Sequence, residues 1–202
     1  MLWLRGDGPG MRLAWEKGAL LRAQGVRLLI PQPGSLPRGD VAVLPEKGSP
    51  EHRFYEPMLR RLGIPAVAHR DPLAGLALAL SYPRRSLGRL TIGVDPGRKC
   101  GLVVIGGPYV VVARKVDCEG IGPAVRSLAD RIPNSGVEVL VGDGEGMLRA
   151  VESLESEDIV YAIVPENGST SNPSRGPLES VLRDKDLLAS LTIALRGARR
   201  LA

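Results

Sequence analysis

Three aliphatic runs in this 202-residue chain end in acids. LTIGVD (90–95) closes on Asp95, VEVLVGD (137–143) on Asp143 with Glu145 just beyond, and DIVYAIVPE (158–166) on Glu166. Side chains at the carboxyl end of a strand stand at the rim of a sheet, where open α/β folds hold their ligands. If these strands run parallel, acids far apart in sequence converge on one edge. Like charges ~4 Å apart repel by several kcal/mol at the effective dielectric of a protein surface, so such a cluster needs a cation. Mg²⁺ or Mn²⁺ takes carboxylate oxygens and waters and leaves positions open for a substrate phosphate. Two such ions about 3.5–4 Å apart can activate a water and stabilise the leaving oxygen of a phosphodiester. Asp-Pro-Gly at 95–97 is also an ordinary turn-starting tripeptide. It is the common placement of the acids that favours chemistry.

A fourth acid comes from RDKDLLASLTIAL (183–195). On a helix Asp186 shares a face with Ala189, Ser190 and Ile193, mostly small side chains that permit close approach to a sheet. At ~100° per residue Asp184 lies about 200° from Asp186, so the two should not share one cation. Asp186 is the preferred ligand, and Asp184 suits the positive end of the helix dipole. Arg98, Lys99, Arg175 and Lys185 flank these acids and are the candidate phosphate contacts, Arg98 and Lys99 first.

The elements that must position them fall into two grammars. In the first part VRLLIP (26–31), DVAVLP (40–45) and IPAVAHR (64–70) read as short buried strands alternating with helices at 12–23, 51–62 and 72–81, a small parallel α/β sheet. SYPRRSLGR (81–89) reads as a linker, which divides the chain into domains at 1–88 and 89–202. In the second part LTIGVD, CGLVVIGG (100–107) and YVVVARKVD (109–117) suggest an antiparallel meander. Helix 121–132, strand 137–143, helix 146–156, strand 158–166 and a final helix over about 178–200 follow. The expectation is a mixed five-stranded sheet with helices on its faces.

Composition sets the outer bounds. Apolar residues make up 44% and charged residues 24%, close to average for a soluble domain, so neither a disordered nor a fibrous class is favoured. Residues 1–89 carry 14 Lys+Arg against 7 Asp+Glu, and residues 90–202 carry 13 against 15, so the basic half and the acid-bearing half differ. An aromatic content of 3% leaves few stacking platforms for bases, so backbone contact would carry any affinity for nucleic acid. Two cysteines, Cys100 and Cys118, without C-x-x-C spacing suggest neither a disulfide framework nor a structural zinc site and fit a reducing cytoplasm. No aliphatic run is long enough to span a bilayer, so no membrane partner is expected. Few Asn and Gln beside 17 Pro hint at a heat-adapted source.

IGVDPGRKCGLVVI (92–105) resembles the first-strand motif of the ribonuclease H-like superfamily, in its RuvC-like and YqgF-like branch of Holliday-junction resolvases. DKDLLASLTIAL (184–195) is similar to the last-helix motif of that branch. The resemblance covers roughly residues 90–202. It implies that Asp95 and Asp186 are metal ligands, that Asp143 or Glu145 is the fourth-strand acid, and that Glu166 takes part. It departs at positions 183 and 189, where Arg and Ala stand in place of a second helix acid. The implied activity is Mg²⁺- or Mn²⁺-dependent hydrolysis of structured or branched DNA or RNA by a cytoplasmic nuclease, with a homodimer suited to a symmetric junction. The rivals are a catalytically inactive nucleic-acid-binding scaffold of the same fold and an actin-like ATPase. The ATPase is disfavoured because residues 1–89 do not repeat the pattern of 90–202 and no Walker-type phosphate loop is present.

Overall fold

A computed structural model of the chain describes residues 1–30, 39–165 and 177–198. The chain divides into two compact units, Met1–Leu87 with Arg131–Pro133, and Gly88–Asp130 with Asn134–Ala202. The first unit contains β1 (Leu2–Trp3), α1 (Gly8–Ala23), β2 (Ala42–Leu44), α2 (Pro50–Arg61), β3 (Ala66–Ala68) and α3 (Pro72–Leu80). Its three strands pair in parallel in the order β1-β2-β3. Each helix starts on a side-chain cap, Asp7, Ser49 or Asp71, with proline in the first turn, where a missing N–H costs nothing. Alternation along the strands builds two cores. Trp3 and Val43 face Leu21 of α1 and Leu76 of α3, while Leu2, Ala42 and Leu44 face Leu59 of α2. The expected strand at 26–31 is reduced to one parallel bridge, Leu29 to Leu2, and the edge strand is β1 at the start of the chain.

Arg5 closes the end of this small sheet. Its side chain is 3% exposed, it meets both oxygens of Asp7 at 3.0 Å, and it donates to the carbonyls of His69 and Arg70 beyond β3. A buried guanidinium is tolerated because its donors are satisfied by a fork-shaped partner and backbone oxygens.

The second unit contains β4 (Arg89–Asp95), β5 (Cys100–Gly106), β6 (Tyr109–Val116), a 3₁₀ turn at Cys118–Gly120, α4 (Ile121–Arg131), β7 (Gly136–Gly142), α5 (Met147–Glu155), β8 (Tyr161–Val164), α6 (Pro177–Val181) and α7 (Lys185–Ala198). The sheet order is β6-β5-β4-β7-β8. β4 pairs antiparallel with β5, β5 with β6 likewise, and β4-β7 and β7-β8 are parallel. This is an α/β unit with a mixed five-stranded sheet and flanking helices. Leu90, Ile92 and Val94 are fully buried, each contributing roughly 1.5–3 kcal/mol of transfer free energy.

Helix α7 lies directly on the sheet because glycines make room. A Cβ at Gly93 would fall 2.1 Å from the Ser190 carbonyl, and one at Gly101 would fall 2.3 Å from Ser190 Oγ. Only glycine allows backbone to approach backbone so closely. The expected single helix over 178–200 is broken at Leu182–Asp184. Asp184 Oδ1 accepts from the N–H groups of Asp186 (2.9 Å) and Leu187 (3.4 Å), and its carbonyl accepts from Leu188, which makes it the N-cap of α7. β8 begins at Tyr161 rather than 158, because Asp158 turns the chain with φ 52°.

The two cysteines are paired, Cys100 with Cys118, against the expectation of free thiols. Topology explains it. The β5-β6 hairpin folds Cys100 opposite Val116, two residues short of Cys118, so an 18-residue separation closes to a Cα distance of 5.1 Å. Among the described residues no helix is long and apolar enough to cross a membrane.

Candidate functional site

The site begins with a row across three strands. Asp95 on β4 stands opposite Gly101 on β5, and Gly101 stands opposite Lys115 on β6. Residues directly opposite in neighbouring strands present their side chains on one face. That face is the one α7 covers, since the absent Cβ of Gly101 would point at Ser190 Oγ and at the Asp186 carbonyl, 2.6 Å away. The empty glycine position lets the first turn of α7 settle between Asp95 and Lys115 along this row.

Lys115 reaches that turn. Its ammonium lies 2.8 Å from Asp184 Oδ2 and 2.6 Å from Asp186 Oδ2. Hydrogen bonds donated by the ammonium to Asp184 and then to Asp186 hold the lysine pKa above its ordinary value. The same ammonium, with the N–H groups of Asp186 and Leu187, holds the Asp184 carboxyl below the usual carboxylate range. Asp184 and Asp186 therefore face one ammonium, against the separation of about 200° expected from a helical wheel. Asp184 is a cap, outside the helix, so the ~100° step does not apply to it.

The remaining expected residues lie around this row. Asp143 and Glu145 are exposed in the turn between β7 and α5. β4 and β7 are parallel with Val94 opposite Val141, so Asp143 sits at the same sheet edge, just past the row that contains Asp95. Arg98 and Lys99 are exposed in the turn after β4, and Lys99 pairs with Asp117 at 3.5 Å. Lys185 is exposed as the first residue of α7. Glu166 and Arg175 lie outside the described residues.

Two residues that the sequence reading did not single out shape the site. One is Lys115. The other is Arg149 of α5, which donates to the Gly97 carbonyl (3.2 Å) and pairs with Glu119 (3.2 Å), so it braces the turn that follows Asp95. Cys118 Sγ lies 3.5 Å from that same carbonyl. The signal for Lys115 was a basic residue near the carboxyl end of a strand, readable only once the hairpin register is known.

Comparison of the chain with protein-family models and with curated proteins finds no match.

A divalent cation can be tested against the side chains present. Hard carboxylate oxygens at Asp95 and Asp186 are the donors that Mg²⁺ and Mn²⁺ take. The charge balance fits such an ion only with Lys115 withdrawn, because its ammonium already answers both acids at the head of α7. Among the described residues no three His, Cys, Asp or Glu side chains gather as a ready cage.

Proposed function

We propose that residues 89–202 form a ribonuclease H-like domain of the RuvC-like kind, and that the protein is a nuclease acting on structured or branched DNA or RNA. The observation that carries this reading is the shared face and row of Asp95 and the head of α7, with Asp143 at the same sheet edge. Asp95 and Asp186 would hold Mg²⁺ or Mn²⁺, with Asp143 or Glu145 as the further acid. The ion, when bound, supplies an activated water and neutralises charge on the phosphodiester. The protein's own groups do the rest. Arg98 and Lys99, exposed on the turn after Asp95, meet backbone phosphates, and Arg149 fixes that turn so that Asp95 keeps its aim. The excess of Lys+Arg in residues 1–89 gives a second, sequence-independent hold on a polyanion in a cytoplasmic setting.

A second reading is favoured by one observation. Lys115 neutralises both acids at the head of α7, as expected of a fold that keeps nucleic-acid binding and has lost cleavage. Asp95→Asn decides between the two. In gel assays with branched and linear duplexes and added MgCl₂ or MnCl₂, a nuclease loses cleavage in D95N and retains binding. Absence of cation-dependent cleavage by the unaltered protein would leave the binding-only reading.

A further inference from the structure

Helix α1 carries Trp15, Gly18, Ala19 and Arg22 on one face, at offsets of three, four and seven residues from the tryptophan. With Arg27 and Ile30 on the segment after the helix, they help to line a groove of about 630 Å³, a volume in the range of small-molecule sites. The groove lies wholly within the first unit, and its lining among the described residues holds two arginines and no acid. Trp15 is 79% exposed, whereas the other tryptophan, Trp3, is buried in the core. Gly18 is the second sign. Glycine inside a helix costs stability relative to alanine, yet a Cβ at Gly18 would meet no atom within 4 Å. Packing does not call for glycine there; close approach of a ligand to the helix backbone does.

We propose that this groove binds an unpaired nucleotide of a nucleic-acid strand, its base stacked on the Trp15 indole beside Gly18 and its phosphate met by Arg22 and Arg27. Nucleic acid as the partner rests on the reading given above, while the groove itself is independent of the acids of the second unit. An aromatic ring stacks with any base, because every base has a π-face, and a guanidinium matches a phosphate with two parallel hydrogen bonds. Trp15 and Arg22 stand seven residues apart, about 10 Å along the helix axis, with the small Gly18 and Ala19 as the floor between ring and charge. Composition alone leaves affinity to backbone contact; Trp15 adds a base contact to it. That contact selects splayed nucleotides over a closed duplex, whose bases are already stacked on one another. A branched or partly unwound substrate supplies such nucleotides.

The test is fluorescence titration of the full chain, in buffer without divalent cation, with a single-stranded oligothymidylate of about ten nucleotides. Stacking should quench the exposed Trp15 and leave the buried Trp3 unchanged. A blunt duplex of the same length should quench far less. Anisotropy of a labelled oligonucleotide then follows the variants. Affinity should fall about tenfold or more in W15A and less in W15F, which keeps a ring. G18L fills the floor with a good helix former, so it should keep or raise the melting temperature and still weaken binding about tenfold. R22A/R27A should weaken binding and lower its salt slope by roughly one or more. Equal quenching by the duplex, unchanged affinity in W15A and G18L, or thymidine monophosphate binding as tightly as the strand overturns the proposal. Cleavage of branched DNA by a protein whose Trp15 is never quenched loses this groove and keeps the nuclease reading. Trp15-dependent binding of the single strand by a protein that never cuts does the reverse.

Discussion

Lys115 Nζ lies 2.6 Å from Asp186 Oδ2, joining the carboxyl end of β6 to the first turn of α7. That contact ties the head of the helix to the sheet, and the capping carboxylate of Asp184 shares the same ammonium.

Asp184 thus has two separable duties. Asp184→Asn keeps an oxygen for the cap and removes the charge, whereas Asp184→Ala removes both. Urea unfolding followed by circular dichroism should rank stability as unaltered protein, then D184N, then D184A. Equal loss in the two variants would mean that the cap adds nothing beyond the ion pair.

Gly93 is the tightest point under α7. A methyl group there would stand 2.1 Å from the Ser190 carbonyl and 2.7 Å from the Ala194 nitrogen, both main-chain atoms that cannot step aside alone. Gly93→Ala should cost about 3 kcal/mol or more, at or above the usual range for overpacking. Hydrogen exchange should then show loss of protection first in α7, and unchanged protection there would contradict the contact.

The crosslink between Cys100 and Cys118 closes a loop of sequence separation 18. Restricting an unfolded chain over such a loop is worth about 3 kcal/mol in the chain-entropy account. Denaturant melts with and without dithiothreitol should separate by roughly that amount, and C100S/C118S should match the reduced protein. Coincident melts would show the pairing to be without thermodynamic weight.

Acid should weaken the first unit through Asp7. Hydrogen bonding from Arg5 holds the Asp7 carboxyl below its ordinary value of 3.8. A depressed carboxyl stabilises the fold fully above its unfolded value and loses that contribution as pH falls through the folded one. Stability of this unit should therefore decline from about pH 5 downward. Both tryptophans, Trp3 and Trp15, belong to it, so urea melts read by fluorescence follow it selectively. Asp7→Asn should flatten the acid limb and lower stability at neutral pH, since it leaves the buried Arg5 charge without its carboxylate.

How much of this was legible in the sequence depended on the range of the interactions. β4, β5 and β6 were readable because each is an aliphatic run bounded by Gly or Pro, and the helix-strand alternation after Asp117 followed from periodicity. β1 was not, since two residues carry no period and its place is fixed by pairing with Ala42 and Val43. The start of α7 was misjudged by a turn and more, because Asp184 acts as a cap through backbone geometry that a continuous wheel ignores. The disulfide and Lys115 share one cause: both follow from the register of a hairpin that carries a bulge between Val104 and Ile105, and a sequence read one strand at a time contains no register.

The hairpin that ends in the cysteine pair has one more property. Its turn, Gly107-Pro108, lies inside the covalent ring formed by Cys100 and Cys118. A protease that nicks this turn leaves two polypeptides that migrate as one band on a gel run without reductant and as two once thiol is added. The break would pass unnoticed in any preparation checked only under oxidising conditions.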